Sequence, residues 1–237
     1  MDRELQLLID LQALDTRIAG LEREAARLPK EIEAIQASVS TARSSLDATK
    51  ARLDTTKKSI RTREKDLDVS AAKRAKAEAR LYEVKTNKEY SAVLIEIEEI
   101  KQEKSRIEEE ILTLMETQER LTVDIRDADA QLKHAETEGK VNEGVVREKL
   151  RAVESELAGL RNERASLAAG VPPAVLAEYD KLLKARGGLA VVQALPSQIC
   201  AGCRMAIRPQ AILELRSHTQ LIHCESCGRY LYWQDPA

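Results

Sequence analysis

Hydrophobic residues recur along residues 7–84 in alternating steps of four and three residues. Eighteen of the 23 positions on this seam are apolar, beginning with Leu7, Leu11 and Leu14. The phase of the pattern does not slip anywhere along this stretch. A period of 3.5 residues keeps an apolar stripe facing one partner only when two helices supercoil around each other. The pattern therefore predicts a first arm that is one long coiled-coil helix.

A second seam of the same period covers residues 97–135. It resumes, after a phase shift, over residues 146–167. The shift coincides with Gly139 and Gly144, and glycine is a poor helix former. The pattern predicts a second coiled-coil arm that unwinds locally, or carries a hinge, at residues 139–144.

The chain is expected to reverse between the two arms, near residues 86–90. No apolar seam residue lies between Val84 and Val93. Thr86, followed three residues later by Glu89, has the form of a capping box, which starts a new helix. A reversal here lays two arms of matching length side by side as an antiparallel hairpin.

The charges of the two arms favour a hairpin within one chain. Residues 57–88 hold eleven Lys or Arg and five Asp or Glu, whereas residues 96–120 hold four basic and nine acidic residues. Folding the arms together places the basic stretch beside the acidic one, while a parallel dimer would place like charges side by side. We interpret the basic stretch as a flank that the other arm neutralises; phosphate binding is the alternative.

A different segment follows the second arm. The Val-Pro-Pro run at residues 171–173 ends the helical pattern, because a residue before proline is pushed out of the helical region. We expect a short helix at residues 174–186 and strands at residues 189–195, 222–224 and 229–233. The predicted fold class is mainly α: an antiparallel coiled-coil hairpin over residues 1–170, followed by a small α+β zinc-ribbon head over residues 171–237.

All four cysteines of the chain lie in this head, as two Cys-x2-Cys pairs separated by 20 residues. This is the spacing of a tetrahedral site in which four thiolates hold one structural Zn²⁺. The predicted ligands are Cys200, Cys203, Cys224 and Cys227. A dithiol–disulfide switch and ligation by His223 are the alternatives. Four thiolates leave no open position for water, so we expect no catalytic residue and no enzymatic activity.

Composition limits the class of protein further. The net charge of -2 and the pI of about 6.1 give no general electrostatic attraction to nucleic acid or membranes. No stretch approaches the roughly 20 apolar residues of a spanning helix, and the N-terminus lacks the apolar run of a signal peptide. We therefore expect a cytoplasmic protein without a membrane partner, where thiols stay reduced and hold metal. Monomer and homodimer both remain open.

Three segments resemble those of a bacterial family that combines a coiled-coil hairpin with a four-cysteine zinc ribbon. They are Val84-Lys-Thr-Asn-Lys-Glu-Tyr90, Cys200-Ala-Gly-Cys203-Arg-Met205 and Cys224-Glu-Ser-Cys227-Gly-Arg-Tyr-Leu-Tyr232. The resemblance spans essentially the whole chain and implies that the same four cysteines hold zinc. Glu225 stands where members often have proline. The resemblance also implies a nucleic-acid-binding or regulatory role, or a scaffold role like that of relatives with flagellar, secretion or sigma-factor partners.

Our leading hypothesis is a non-enzymatic adaptor that presents the hairpin tip and the zinc head to protein partners. Its setting would be transcription regulation or secretion and flagellar assembly. The candidate residues at the tip are Tyr82, Thr86, Asn87, Lys88, Glu89 and Tyr90. The two tyrosines either anchor a partner or only pack across the reversal.

Nucleic-acid binding through the ribbon is the alternative function. The candidate phosphate contacts are Arg204, Arg208, Arg216 and Arg229. Stacking of bases on Tyr230, Tyr232 and Trp233 would accompany them. The other interpretation of these aromatic residues, which we favour, is that they form the core of the ribbon itself.

Overall fold

The computed structural model describes residues 3–217 and 221–234. The predicted fold class is confirmed: two long helices form a hairpin, and short strands lie in the C-terminal region. The elements in chain order are α1 (Arg3–Arg80), α2 (Asn87–Ala168), α3 (Pro173–Ala185), β1 (Val191–Gln193), α4 (Pro209–Ser217), β2 (Ile222–His223) and β3 (Tyr230–Tyr232).

The seam positions form the buried face of both arms. On the first arm every seam position from Leu7 to Val84 is buried or half-buried except Arg63. On the second arm the same holds at every seam position, including the polar residues Lys104 and Gln118. The 3.5-residue period therefore identifies the packing face correctly, even where individual residues on it are polar.

The chain divides into two compact units. The tip unit is residues 34–143, and the head unit combines residues 1–33 with residues 144–237. Cross-helix ion pairs in the tip unit are Arg43–Glu136 at 2.6 Å, Arg63–Glu110 at 2.8 Å and Arg80–Glu96 at 3.0 Å. Residue numbers fall on α2 as they rise on α1, so the two helices of the tip unit are antiparallel.

The connection between α1 and α2 in the tip unit is residues 81–86, earlier than the predicted reversal at residues 86–90. Thr86 and Glu89 form the predicted capping box: the Glu89 amide donates to Thr86 Oγ1 at 3.3 Å, and the Thr86 amide donates to Glu89 Oε2 at 3.2 Å. These bonds satisfy two amides that no helical carbonyl accepts. Because the box caps α2 at once, residues 87–90 already belong to its first turn.

Residues 139–144 lie inside α2 without a break, so the local unwinding expected there is wrong. Buried or half-buried positions continue across the phase shift as Ala135, Gly139, Glu143 and Val146. Two successive steps of four residues change the supercoil locally and leave the helix continuous.

The two glycines of this segment have different surroundings. A Cβ atom on Gly139 would lie 3.0 Å from Val39 Cγ2 and 3.4 Å from Ile35 Cγ2, whereas a Cβ on Gly144 would have no atom within 4 Å. Gly139 therefore allows α1 to approach α2 closely within the tip unit, and Gly144 has no such role.

The head unit contains its own antiparallel section of α1 and α2 and a three-stranded sheet. Arg17 pairs with Glu156, and Glu24 pairs with Lys149. The strand order is β1-β3-β2, with β1 parallel and β2 antiparallel to the central strand β3. One cluster of buried residues surrounds the cysteines. A second joins α1 to α3 and the sheet through Leu8, Leu11, Tyr179, Val191 and Tyr230.

Helix α4 is an element that the hydrophobic pattern does not reveal, because nine residues are too few to establish a period. Its available signals are Pro209 in the first turn and the spacing of Ile212 and Leu215, which are both buried. It packs beside the cysteines in the cluster that contains Trp233.

Replacing Gly139 by valine should destabilise the tip unit, because the added atoms must displace Val39 or Ile35. Overpacking of this kind typically costs about 1–3 kcal/mol. Gly144→Val is the matched control, since it has the same change in helix propensity and open space around it. Urea unfolding followed by circular dichroism measures both. Equal stability of the two variants would contradict the close approach at Gly139.

Candidate metal centre and interaction surfaces

The four cysteines of the head unit meet at one point, as the sequence predicts. Their four Sγ atoms all lie within 4.8 Å of one another. Cys200 and Cys227 are 3.9 Å apart at sulfur, and Cys203 and Cys224 are 3.7 Å apart. A tetrahedron with metal–sulfur distances of about 2.3 Å has edges of about 3.8 Å, so the sulfurs fit such a site. A disulfide needs a sulfur–sulfur distance of about 2.05 Å.

Each pair of cysteines is held by a tight turn. The Arg204 amide donates to the Cys200 carbonyl at 2.8 Å, and the Gly228 amide donates to the Cys224 carbonyl at 2.7 Å. The residue that closes each turn has a positive φ, 62° at Arg204 and 75° at Gly228. Glycine adopts this conformation freely, as expected for Gly228, whereas arginine adopts it at some cost.

The thiols differ in how readily they ionise. Burial raises the pKa of Cys200 to about 12 and also raises that of Cys224. Burial opposes ionisation of Cys227 too, but hydrogen bonds from the backbone and side chain of Arg229 lower its pKa to about 7. Thiolates bind metal and thiols do not, so loading of the site releases protons.

Arg229 is a structural part of this centre. Its Nε donates to the Leu189 carbonyl at 2.7 Å, and its Nη2 donates to the Arg186 carbonyl at 3.0 Å. A Cβ on Gly202 would lie 2.9 Å from Arg229 Cδ, so a larger residue in the first turn would push the Arg229 side chain away from these carbonyls. Arg229 thus ties both cysteine turns to the end of α3.

His223 is adjacent to Cys224 in sequence, but its ring faces other groups. Nδ1 lies 3.0 Å from the Gly228 carbonyl, and the ring packs on Tyr230 with centroids 4.3 Å apart. Tyr230 in turn donates to Glu178 at 2.8 Å. Among residues 3–217 and 221–234, only the four cysteines form a group that could hold a metal ion.

A buried polar cluster joins α1 to the rest of the head unit, and the sequence pattern does not reveal it. Asp15 accepts hydrogen bonds from Arg164 Nε at 2.6 Å and from the Tyr179 hydroxyl at 2.7 Å. Arg164 also donates to Asp180 at 2.7 Å. Burial, together with the Asp15 carboxylate, raises the pKa of Tyr179 well above its usual value.

Gln12 is a second buried polar residue on α1, one helical turn before Asp15. Its Nε2 donates to the Gly188 carbonyl at 2.8 Å, and its Oε1 accepts from the amides of Ala190 at 2.6 Å and Val191 at 3.0 Å. The sequence carries only a weak signal for this burial: Gln12 and Asp15 directly follow the seam residues Leu11 and Leu14. Polar residues next to a seam are common, however, and burial of these two depends on distant elements.

The four arginines considered for nucleic acid do not form one free cluster. Arg208 pairs with Glu225, Arg216 lies over the ring of Trp233 at 4.4 Å, and Arg229 is bonded to backbone carbonyls. Arg204 is exposed and makes no ion pair within the described parts of the chain. Tyr230 and Trp233 are buried and Tyr232 is half-buried. Trp233 lies in the cluster around the cysteines, whereas the two tyrosines belong to the cluster that joins α1, α3 and the sheet.

The candidate tip residues lie in and beside the reversal of the tip unit. Tyr82 is 93% exposed and Tyr90 is 46% exposed. The interpretation that both tyrosines only pack across the reversal is therefore wrong for Tyr82. Thr86 and Glu89 form the helix cap, while Asn87 and Lys88 are exposed in the first turn of α2.

Residues 11–187, more than half of the chain, match the family described as the CT398-like coiled coil hairpin domain. The chain belongs to this family. Residues 199–231 of this CT398-like protein match the C4-type zinc ribbon domain, which includes all four cysteines. The resemblance inferred from the tip and cysteine segments is confirmed.

Solved structures agree with the family assignment. The structure of CT398 from Chlamydia trachomatis has 26% sequence identity and a TM-score of 0.84, with 98% of each chain covered. The HP0958 protein from Helicobacter pylori has 19% identity, a TM-score of 0.69 and 99% of each chain covered. A protein from Mycobacterium smegmatis has 18% identity and a TM-score of 0.69, covering 99% of this chain and 100% of its own. These last two show the shared fold alone.

No curated protein matches this CT398-like sequence. In the parts of the chain that the structure describes, no helix combines the length and apolar character needed to cross a membrane.

Replacing Tyr179 by phenylalanine in this CT398-like protein should reduce stability by about 1.5–3 kcal/mol, the usual contribution of a hydrogen bond to a charged group. The change removes one of the two donors to Asp15 Oδ2, which then keeps only Arg164 Nη2 at 3.2 Å. Tyr82→Phe is the control, because its hydroxyl is exposed and stability should not change. Chemical denaturation of both variants measures the difference. If Tyr179→Phe matches the wild type, the buried hydrogen bond contributes nothing to folding.

Proposed function

We propose that this CT398-like protein is a non-enzymatic adaptor of the cytoplasm, in which one Zn²⁺ folds the ribbon and the hairpin tip contacts a protein partner. The setting that we propose for this adaptor is transcription regulation or secretion and flagellar assembly. The observation that carries the proposal is Tyr82, a large aromatic side chain left 93% exposed at the reversal.

The chemistry of the donor set supports zinc as the ion. Four thiolates in tetrahedral positions are the ligands of structural zinc sites, and the sulfur separations of 3.9 and 3.7 Å match that geometry. Four protein ligands also fill the coordination shell, so water has no place at the ion. The ion would therefore stabilise the small ribbon core and leave function to the surfaces that the fold presents.

The tip combines rigidity with exposed apolar surface. The capping box fixes the start of α2 next to the reversal, so the side chains that follow have defined positions. Beyond Tyr82 and Tyr90, Leu94 and Ile95 are also exposed on the first turns of α2. Exposed aromatic residues on a rigid support are typical anchors of protein interfaces, because little conformational entropy is lost on binding.

Nucleic-acid binding through the ribbon is the less favoured candidate. Phosphate binding needs clustered cations that are free of other partners. Three of the four candidate arginines already have partners within the head unit, which leaves Arg204 as the exposed cation of the set.

Elemental analysis of the purified protein should find about one zinc per chain. Removal of the zinc should unfold the ribbon, while most of the helical circular-dichroism signal remains. Trp233 is the single tryptophan and is buried, so its fluorescence should shift to the red as the ribbon opens. Cys227→Ser should behave like the metal-free chain, and Ser226→Ala, in the same turn, should behave like wild type. A metal-free chain with unchanged fluorescence would overturn the structural role.

Tyr82→Ala/Tyr90→Ala should lower recovery of protein partners in affinity purification from the native cell by at least about tenfold, since interface anchors contribute about 2 kcal/mol or more each. Asn87→Ala/Tyr90→Ala should act in the same direction. Val141→Ala/Val145→Ala removes exposed apolar side chains elsewhere on α2 and is the matched control.

Unchanged recovery with both tip variants would refute the tip as the partner surface. Each purification is repeated after nuclease treatment. Partners that nuclease releases would indicate that nucleic acid, and not the tip, mediates the association.

A further inference from the structure

One row of the coiled-coil seam in the tip unit lacks large apolar side chains. Every second seam position of the first arm over residues 42–77 carries a small or polar residue. The row is Ala42, Thr49, Thr56, Arg63, Ser70 and Ala77. Over residues 7–35 the same row holds only leucine and isoleucine. Large apolar residues on both rows fill the space between two coiled-coil helices, so the smaller side chains of this row leave room for clefts along one flank of the pair.

Two clefts follow this row on the surface of the tip unit. The first has a volume of about 580 Å³, and the second, of about 900 Å³, continues from it past Arg63. The apolar side chains that line them are Val69, Ile100, Ile107 and Leu114. Val69 is 53% exposed on the rim. An apolar floor with a charged rim is the kind of groove that helices of a second molecule cover.

Only some of the charges beside the clefts are paired within the chain. Of the eleven cations in residues 57–88, the structure pairs Arg63 and Arg80 with carboxylates of α2. The expected neutralisation of this flank is therefore only partial. Among the described residues, no ion pair is formed by Lys57, Arg61, Lys65, Lys73 or Lys76 on the first arm, or by Glu99, Glu109, Glu116 or Glu119 on the second. The tip unit thus has a basic helix beside an acidic one.

We propose that a second copy of this chain covers these clefts, with its basic stretch on the acidic stretch of the first copy. A two-fold axis parallel to the helices places α1 of each copy against α2 of the other. The four helices then alternate in charge around the bundle, and like-charged helices occupy the diagonals. A two-fold axis perpendicular to the helices would place α1 on α1, with basic residues facing basic residues, so the charges select the first arrangement.

Lys73 and Glu99 provide one specific contact by which this arrangement can be tested. Both line the first cleft, and neither forms an ion pair with any residue that the structure describes. The pairs Arg63–Glu110 and Arg80–Glu96 show that Lys73 lies level with residues 100–103 of α2, within one residue of Glu99. With the parallel axis, Lys73 of one copy therefore faces Glu99 of the second copy, and the symmetry repeats the contact.

The size of the groove predicts a weak association. Residues 55–73 span about 28 Å of helix, which gives an interface at the low end of the range for specific complexes. Much of its attraction comes from exposed charges, which salt screens. We expect a dimer that forms at micromolar concentrations in low salt and dissociates as salt rises.

Sedimentation equilibrium of the full chain, loaded with zinc, tests the proposal. Wild type should show a monomer–dimer equilibrium, and Lys73→Glu and Glu99→Lys should each weaken it by at least about tenfold, because each places like charges together twice. An equimolar mixture of the two variants should restore the dimer, since every contact between copies is then attractive. Within each variant chain residues 73 and 99 remain like-charged, so only contact between copies explains restoration. Lys65→Glu, a residue that does not line the clefts, is the matched control.

Three results would overturn the proposal. They are a wild-type chain that stays monomeric at high micromolar concentration, a dimer that neither reversal weakens, and a mixture that fails to restore association. A monomeric wild type would mean that a second copy does not cover the groove, and a different protein would then be the candidate occupant. Tyr82 and Tyr90 do not line the clefts, so failure here leaves the proposed role of the tip intact, and the reverse also holds.

Discussion

The head unit depends on one buried carboxylate. Asp15 is 8% exposed, and its two oxygens receive hydrogen bonds from Arg164 and Tyr179. A buried charge is tolerated only with partners in good geometry, and loss of the charged partner, here Arg164, typically costs about 3–5 kcal/mol. The three residues come from α1, α2 and α3, so the pairing is satisfied only when all three helices are in place.

Helix α1 therefore has two functions in the head unit. Its leucines supply the apolar seam, and Gln12 and Asp15 supply polar contacts one position further along the helix. Gln12 binds one carbonyl and two amides where α3 leads into β1, so it satisfies backbone groups that would otherwise be buried without partners. The ribbon is thus attached to the helices by directional bonds as well as by apolar packing.

The parts of the fold that sequence predicts are those specified locally. The seam, the capping box of Thr86 with Glu89, and the cysteine turns each depend on spacing within a few residues, and the structure contains all of them. The reversal is displaced by only about one helical turn. Gly139 and the Asp15 cluster were misjudged or missed, because what each residue packs against is set by segments far away in the chain. Helix α4 was missed because nine residues are too few to establish a hydrophobic period. The metal centre could be predicted in part. The spacing of the cysteines predicts the ligand set, and only the fold shows that the two cysteine turns face each other.

The chain segments that make up each of the two units determine the order in which the units can fold. The tip unit closes around residues 81–86, so its contacts can form progressively from a short loop while synthesis continues. The first 33 residues instead pack with residues beyond 143, which the ribosome delivers much later. Leu5, Leu8 and Leu11 are buried in the finished protein and stay without their native partners during that interval. The nascent chain should therefore be most vulnerable to aggregation at its N-terminal helix, where general chaperones would have to shield it until the ribbon emerges.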